Sequence, residues 1–373
     1  MVAHITTVHP RTDSRIRLKE VATLASSLAV EVRLYVQDGE GDEQSSEGYR
    51  ICDTGPRLAR LARMTRGGWR MVRALHRDRP ALVHFHDPEL LPWAALLRLT
   101  GTKIVYDVHE DVPRQIQHNA RLSPLLRRAL SPVASVAEWC AAKVYSAVVA
   151  ATPEIAARFP VRKTVLVRNY PLLEEFPEPG RKPMRERDRT FAYVGGLTKI
   201  RGLFSMVEAI GVLNEPGASL RLAGDFVMAD ERAALAASPN AKFVRNEGWV
   251  GRTQIGSILS EARAGLVTLL PIRNYIEARP VKLFEYMAAG LPVIASDFPR
   301  WREIVAECEC GLLVDPTDPV AIAAAMRWIL DHPDEAQEMG MRGRQAVIDR
   351  YNWAPEADNL VALYRSLLKE RAG

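Results

Sequence analysis

The sequence predicts an α/β protein with two Rossmann-like domains that face each other across a deep cleft. Short apolar runs rich in β-branched residues alternate with longer stretches of helical periodicity, which is typical of βαβ units and parallel sheets. The length of 373 residues exceeds what one hydrophobic core usually serves. A proline-rich, charged segment at 169–188 interrupts the alternation, and the same rhythm restarts after it.

The first predicted domain covers residues 1–168. We predict its strands at 3–8, 31–35, 82–86, 103–107, 147–150 and 164–168, and its helices at 16–28, 57–77, 88–99 and 124–145. The polar residues 37–48 are rich in Gly and Ser, so we expect a loop there.

The second predicted domain covers residues 189–350 and follows a linker at 169–188. We predict its strands at 190–194, 219–223, 242–245, 265–270 and 292–295, and its helices at 203–213, 230–237, 253–262 and 280–289. Residues 351–373 read as a separate helix that follows the completed domain.

The formal net charge of +5 is concentrated in the first domain. Eight arginines and a single acid, Asp78, lie between Arg57 and Arg79, and the arginines recur at three- and four-residue steps. The pattern predicts a basic amphipathic helix, with Gly67-Gly68 as a candidate interruption. Its complementary apolar stripe comprises Leu58, Leu61, Trp69, Val72 and Leu75. Its basic face is either a solvated surface or a surface attracted to anionic lipids or an anionic acceptor; aromatic residues do not alternate with the arginines, which disfavours nucleic acid. A second basic group comprises Arg114, Arg121, Arg127 and Arg128.

The chain has neither a run apolar enough to span a bilayer nor the layout of a signal peptide at its start. We therefore expect a cytoplasmic protein, at most peripheral at the inner face of the plasma membrane. Four scattered cysteines fit reduced thiols: Cys52, Cys140, Cys308 and Cys310.

Two glutamates flank the start of a predicted helix in the second domain. Glu277 precedes the helix, Glu285 lies on it among apolar residues, and Gly290 suits the left-handed position after its end. A helix start favours an anion, so we expect a diphosphate beside Pro280, Val281, Lys282 and Leu283, with Pro280 at the first helical position. Glu277 would then bind a sugar and Glu285 a ribose. The alternative is two surface glutamates on an ordinary helix.

A Gly-rich turn and a Gly-Trp-Val segment in the same domain suit the same ligand. Gly195 and Gly196 follow a strand and let the backbone approach a ligand, and Lys199 and Arg201 bring positive charge to it. The backbone near Val250 is a candidate for binding a nucleobase. Taken alone, the Gly-Gly turn is equally compatible with an ordinary turn, and the second segment favours a packed tryptophan at Trp249.

Polar residues end two predicted strands of the first domain: His84, His86 and Asp87 after one, and Asp107, His109 and Glu110 after the next. The loop after the first strand, 9–15, adds Arg15. We expect these side chains to orient an acceptor or to act in acid–base chemistry. Their spacing matches no recognised metal-ligand pattern, so no metal is expected.

The run from Glu277 through Glu285 to Ser296 resembles the EX7E signature of family-4 retaining glycosyltransferases. The resemblance extends over most of the chain, through the segments HFHDPELLP, IVYDVHED and YVGGLTKIRG and the late Tyr351-Asn352-Trp353. It implies the GT-B fold, a C-terminal helix that crosses back onto the first domain, and metal-independent transfer with retention of configuration.

The resemblance also implies roles for single residues. It places Glu277 at the donor sugar, Glu285 at the ribose, Arg201 at the diphosphate and His109 beside the transferred sugar. Two departures bear on these roles: residues 9–15 replace a Gly-rich loop, and Gly196 stands where many members carry a phosphate-binding arginine. Arg201 should therefore carry more of the charge stabilisation than usual.

Taken together, the sequence predicts an enzyme that moves a sugar from a UDP- or GDP-linked donor to a saccharide or lipid-linked acceptor, in the synthesis of bacterial cell-surface polysaccharide or glycoconjugates. The donor is a substrate, and no cofactor is expected. The alternatives are a sugar-nucleotide epimerase of the same shape and a non-catalytic protein that binds a membrane or a partner.

Overall fold

The computed structural model describes residues 1–118, 122–176 and 182–369. Arg121 of the second basic group and the end of the predicted segment 351–373 therefore lie outside the described residues. Contacts divide the chain into two compact units, one that joins Met1–Asn169 with the segment from Trp353 onward and one that covers Tyr170–Asn352. No helix in the described part of the chain is long and apolar enough to cross a membrane.

The first unit is built on an eight-stranded sheet with helices packed against it. Its strands are Val2–Ile5 (β1), Val32–Val36 (β2), Glu43–Gln44 (β3), Arg50–Asp53 (β4), Leu82–Phe85 (β5), Lys103–Val108 (β6), Ala147–Ala150 (β7) and Thr164–Leu166 (β8). The order is β3-β4-β2-β1-β5-β6-β7-β8, and every pair is parallel except β3 with β4. The α-helices are Ala22–Ser27 (α1), Arg60–Ala62 (α2), Gly68–Asp78 (α3), Leu91–Leu99 (α4), Val112–His118 (α5), Pro124–Val144 (α6) and Pro153–Ala156 (α7).

The second unit has a six-stranded, fully parallel sheet. Its strands are Thr190–Val194 (β9), Ser219–Ala223 (β10), Val244–Gly248 (β11), Ala264–Val267 (β12), Val293–Ser296 (β13) and Gly311–Val314 (β14), in the order β11-β10-β9-β12-β13-β14. Its helices are Leu203–Leu213 (α8), Ala229–Ala237 (α9), Arg252–Glu261 (α10), Arg273–Ile276 (α11), Val281–Ala288 (α12), Pro299–Cys308 (α13), Pro319–Asp331 (α14) and Pro333–Asp349 (α15).

The strand order reverses at β1 and β5 in one sheet and at β9 and β12 in the other. In doubly wound sheets the loops beyond the carboxyl ends of such strands diverge and leave room for a ligand. The loops after β1 and β9 therefore occupy the position at which each unit is built to bind one.

The last helix, Trp353–Lys369 (α16), packs on the first unit. The indole N–H of Trp353 donates to Oγ1 of Thr23 at 2.8 Å, and Tyr364 is fully buried. The carboxylate of Glu356 accepts hydrogen bonds from the backbone and side chain of Arg168, both at 2.8 Å.

Three predictions in the first unit are wrong in detail. The predicted loop at 37–48 contains β3, which pairs with the unpredicted β4, because a short polar edge pair carries little periodic signal. The predicted helix 57–77 begins only at Arg60, and its regular α-geometry is interrupted by a π-helical turn at Arg63–Gly67 between α2 and α3, which ends where the candidate interruption at Gly67-Gly68 begins. In its predicted apolar stripe Val72 and Leu75 are buried, but Leu61 and Trp69 are exposed.

Gly202 precedes α8 with φ +79°, and a Cβ there would lie 1.9 Å from the carbonyl oxygen of Thr268. We expect Gly202→Ala to lower the free energy of unfolding by about 2–4 kcal/mol, because it combines a left-handed backbone with a clash against main chain. Gly217 is the matched control, since it has φ +78° and nothing within 4 Å of the Cβ that alanine would add; Gly217→Ala should cost about 1 kcal/mol. Equal losses in urea melts would contradict the clash.

Candidate functional site

The loop after β9 lies against a lysine from the start of α12. Gly195 has φ +127°, and a Cβ there would stand 2.6 Å from Nζ of Lys282. Any other residue would displace the ammonium group. The Lys282 side chain runs over the ring of Tyr193, with Nζ 5.3 Å from the ring centroid. Burial, and next the charge of Arg201, lower the pKa of Lys282 to about 8, while Glu285 opposes that shift.

Arg201 points into the same loop. Its Nη1 donates to the carbonyl oxygen of Gly196 at 3.4 Å, and its guanidinium is hydrogen-bonded to Tyr275. A Cβ on Gly196 would come within 2.8 Å of that Nη1, so the absence of a side chain at 196 makes room for Arg201. Lys199 is exposed, and its backbone N–H donates to Glu231 at 2.8 Å. Arg201 and Lys282, rather than Arg201 and Lys199, are the two cations at this loop.

The start of α12 differs from the prediction by one position. Pro280 is the N-cap residue, not the first helical residue, with φ −70° and ψ 127°. The N–H of Leu283 donates to the carbonyl oxygen of Pro280 at 3.1 Å, and the Leu283 side chain is buried in the core. The predicted contact of Leu283 with a ligand is therefore wrong, and the amides at the open end of the helix are those of Val281 and Lys282. Gly290 adopts the predicted left-handed conformation after the helix end, with φ +67°.

The indole of Trp301 holds the loop before α12 in place. Trp301 is fully buried, and its Nε1–H donates to the carbonyl oxygen of Ala278 at 2.7 Å. Further along the helix the hydroxyl of Tyr286 accepts the backbone N–H of Val194 at 2.8 Å. These two contacts tie the helix start to β9 and to the core.

The two glutamates have cationic partners within the protein. Glu285 is largely buried and accepts a hydrogen bond from Nη1 of Arg252 at 3.2 Å, and the same nitrogen donates to Glu175 at 2.9 Å. Glu277 is the C-cap residue of α11 and pairs with Arg273 at 3.4 Å. A ribose is thus not needed to satisfy Glu285, because Arg252 already does so. The sequence did not predict Arg252, since it lies at the start of an otherwise ordinary helix.

The segment after β11 presents its tryptophan to solvent. Trp249 is 73% exposed and Val250 is buried in the core of the second unit. The expectation of a packed tryptophan is wrong, and only the backbone at Val250 keeps the predicted position beyond a strand end.

In the first unit a single carboxylate, Asp107, joins three of the predicted residues. Arg15 donates to both of its oxygens, with Nε–Oδ2 3.0 Å and Nη2–Oδ1 2.7 Å. His86 and His109 donate through Nδ1 to Oδ2 at 3.0 and 2.9 Å. Burial alone would raise the pKa of Asp107, but Arg15 and then His109 outweigh it and hold that pKa well below its usual range.

A chain of hydrogen bonds continues inward from His86. Nε2 of His86 accepts a hydrogen bond from Nδ1 of His4 at 3.0 Å. Nε2 of His4 in turn accepts the hydroxyl of Tyr364 at 3.0 Å, and the Tyr364 oxygen accepts from Nδ1 of His84 at 2.8 Å. Burial lowers the pKa of His4 and His84 well below the usual value, so both rings are neutral. Glu20 lies beside Arg15, at 3.1 Å, and burial followed by the charge of Asp107 raises its pKa.

These contacts revise the predicted acceptor-binding residues. Arg15, His84 and His86 are almost fully buried and are engaged with protein partners. Asp87 is also buried and accepts from the Thr6 hydroxyl and from the backbone N–H of Val8, at 2.9 and 3.2 Å. Direct acceptor binding by Arg15 and His84 is therefore wrong, because neither side chain reaches a surface. His4, His84 and His86 lie beside Glu20, and the atoms through which these four residues could bind a metal ion are within 4.8 Å of one another. The hydrogen bonds of the histidines to Asp107 and Tyr364 already account for this arrangement.

A cavity of about 420 Å³ borders this network, and His86, Asp107 and His109 form part of its wall. His109, Glu110, His86 and Asp87 line it, as predicted site residues, and so does His9 of the predicted polar loop 9–15. Other lining residues were not assigned to this site from the sequence: Arg60, Arg63, Glu89 and Gln115. Arg63 pairs with Glu89 through two hydrogen bonds of 2.6 and 2.9 Å. Nε2 of His109 lies 3.2 Å from Nε2 of His9, and Asp13 bonds the other nitrogen of His9 at 3.3 Å. Although burial opposes it, Asp13 and Asp87 raise the pKa of His9.

Comparison with known proteins matches both halves of the chain. The profile described as "Glycosyltransferase Family 4" matches residues 16–167, and the one described as "Glycosyl transferases group 1" matches residues 176–346. The chain is 26% identical over 326 residues to a glycogen synthase of Mycobacterium tuberculosis, a match that covers 85% of this chain and 73% of that protein. It is 28% identical over 273 residues to the D-rhamnosyltransferase WbpZ of Pseudomonas aeruginosa, covering 69% and 66%.

Solved structures share the architecture along the full length. A sucrose-phosphate synthase of Thermosynechococcus elongatus matches with a TM-score of 0.78 at 20% identity and covers 99% of both chains. HepE of Anabaena in complex with UDP-glucose matches with a TM-score of 0.72 at 13% identity, covering 98% of this chain and 99% of that one. The predicted fold class and the resemblance are confirmed. The chain belongs to the group 1, family 4 glycosyltransferases and has their GT-B fold.

Proposed function

We propose that this glycosyltransferase moves a sugar from a UDP- or GDP-linked donor to a hydroxyl of a saccharide or lipid-linked acceptor, with retention of configuration and without a metal ion. The observation that carries the donor assignment is the convergence of Arg201, Lys282 and the open amides of α12 on one glycine loop. Two cations and a helix N-terminus suit a diphosphate. The matching HepE structure, which contains UDP-glucose, supports this choice of ligand.

Side chains supply the positive charge that stabilises the leaving diphosphate. As the bond to the sugar breaks, negative charge grows on the diphosphate, and preorganised cations stabilise it. Lys282 compensates for the absent side chain at Gly196, because its ammonium group is held against the backbone of Gly195. Burial lowers the pKa of Lys282 in the empty protein, and the negative diphosphate of a bound donor would favour the charged form.

The two acids bind the sugars on either side of the diphosphate. Glu277, the C-cap residue of α11, precedes the start of α12 and in this proposal binds hydroxyls of the transferred sugar. Glu285 binds the ribose, with Arg252 holding its carboxylate in orientation. None of the proposed site residues is placed as a covalent nucleophile, so we favour attack of the acceptor hydroxyl on the face from which the diphosphate leaves.

His109 acts beside the transferred sugar. Asp107 accepts the Nδ1 proton of His109, which fixes the tautomer and leaves Nε2 toward His9 and the cavity. The cavity with His109, Glu110 and Arg60 is the acceptor site in this proposal. His86 and Asp107 are positioning residues, because they act through His109 rather than on the acceptor.

The acceptor belongs to bacterial cell-surface polysaccharide or glycoconjugate synthesis. Relatives named as a rhamnosyltransferase and as a phosphatidyl-myo-inositol mannosyltransferase support this class. The arginines between Arg57 and Arg79 would bring the enzyme to an anionic membrane surface at the cytoplasmic face, and nucleic acid is not a partner.

Arg201→Ala and Glu285→Ala should each lower kcat/KM for the nucleotide sugar by at least about tenfold, equivalent to about 1.4 kcal/mol, because each removes a contact to the donor. Initial rates with UDP- and GDP-sugars measure this effect. Arg327→Ala and Glu338→Ala are the controls, since both side chains lie on exposed helix faces. Near-wild-type rates in both site variants would refute the donor site.

Lys282 should make donor binding depend on pH. The pKa of about 8 in the empty protein means that Lys282 is mostly charged at pH 7 and mostly neutral at pH 9. UDP affinity should therefore fall several-fold across that range, because binding then requires proton uptake, whereas the diphosphate of UDP is largely ionised throughout. Calorimetry on the wild type and on Lys282→Met tests this, and the variant should bind weakly with no such dependence. An unchanged wild-type affinity from pH 7 to 9 would contradict it.

Asp107→Asn should lower kcat by at least about tenfold, because the amide releases Arg15 and no longer fixes the His109 tautomer. UDP affinity should stay within about twofold, since the nucleotide binds in the other unit. Rates at saturating donor and UDP calorimetry separate the two effects. A variant that retains both UDP binding and full kcat would show that Asp107 has no part in the reaction.

A further inference from the structure

Helix α6 exposes its apolar side chains to solvent. Of its 21 residues only Ser131, Glu138 and Ala142 are buried. Seven large apolar side chains along the helix are between 39% and 79% exposed: Leu125, Leu126, Leu130, Val133, Val136, Trp139 and Val144. A surface helix of a soluble protein ordinarily turns such residues toward the core. Seven exposed apolar side chains on one helix mark an interaction surface.

The charges on α6 are arranged to meet an anionic partner. Glu138 is the only acid in the helix, and it faces inward, where it accepts the Tyr106 hydroxyl at 2.8 Å and pairs with Arg158. The basic residues Arg128 and Lys143 lie near opposite ends of the helix, and neither is buried. The ammonium group of Lys143 lies 3.5 Å from the ring centroid of Trp139, which places a cation and an amphipathic ring side by side.

A second copy of the chain is a poor partner for this face. An isologous antiparallel pairing of two α6 helices would bring Arg128 of one copy toward Lys143 of the other, with no carboxylate on the exposed face of this fully described helix to offset the repulsion. An anionic bilayer supplies both an apolar phase and negative headgroups. The helix cannot cross that bilayer, because no helix of the described residues is apolar enough over its length.

We propose that α6 lies flat on an anionic lipid surface, with Val133, Val136 and Trp139 among the acyl chains and with Arg128 and Lys143 at the headgroups. The neighbouring α4 packs against α6 and ends with Leu99, which is 83% exposed. This surface is distinct from the arginines between Arg57 and Arg79, whose attraction to lipid would rest on charge. Lipid docking through α6 does not depend on the donor site.

The test is co-sedimentation with vesicles of phosphatidylcholine and phosphatidylglycerol, with the anionic lipid as the minor component. Val133→Asp combined with Val136→Asp should weaken binding at least about tenfold relative to the wild type, because two carboxylates would have to enter the acyl-chain region beneath anionic headgroups. Val161→Asp is the matched control, as Val161 is 87% exposed in a short turn of the same unit. The control should bind as the wild type does. Equal binding of the double variant, or no binding of the wild type, overturns the proposal.

Cys140 provides a second readout on the same face. It is exposed, whereas Cys52, Cys308 and Cys310 are buried. An environment-sensitive fluorophore attached to Cys140 should shift to shorter wavelength with the anionic vesicles, and less with phosphatidylcholine alone. Loss of a dimer in the double variant, seen by ultracentrifugation without vesicles, would assign the face to a second copy and refute lipid docking. UDP binding should be unchanged in the double variant, so an absence of lipid docking would not contradict the proposed function.

Discussion

The approach of the Lys282 ammonium group to the backbone of Gly195 is the contact on which the proposed donor site depends. It requires a residue without a side chain at 195, in a backbone conformation with φ +127° that favours glycine. It also requires that α12 begin where Trp301 and Tyr286 hold it, so that the lysine reaches across to the loop after β9. A buried cation is unfavourable in an empty site, and the lowered pKa of Lys282 reflects that desolvation. An anionic ligand offsets it.

In the first unit the buried charge is a carboxylate, and it is stabilised by partners within the protein. Asp107 is buried and remains ionised because Arg15 binds both of its oxygens, and it then has enough acceptor capacity for two histidines. One of these, His109, lines the cavity, and the other leads through His4 to Tyr364 on α16. The C-terminal helix is thereby connected to the carboxyl edge of the first sheet by hydrogen bonds, not only by packing.

The same unit presents two surfaces of different character. The segment between Arg57 and Arg79 offers charge with isolated apolar side chains such as Leu61 and Trp69. The outer face of α6 offers seven exposed apolar side chains with few charges. For an enzyme whose acceptor carries a lipid, long-range attraction and shallow insertion are complementary, because charge acts over about a Debye length while apolar burial acts only on contact.

The sequence alone determined most of the strands and the residue types at the strand ends. Periodicity located most strands of both sheets, and the acids Glu277 and Glu285 around a helix start led to the proposed donor site from local pattern alone. It could not determine which side chains meet across the fold. The position of the Lys282 side chain, the pairing of Glu285 with Arg252 and the sharing of Asp107 all join residues from separate elements. Periodicity reports which face of a helix or strand is apolar, but the burial of His84 and the outward row of α6 depend on what packs against each face, and only the tertiary structure decides that.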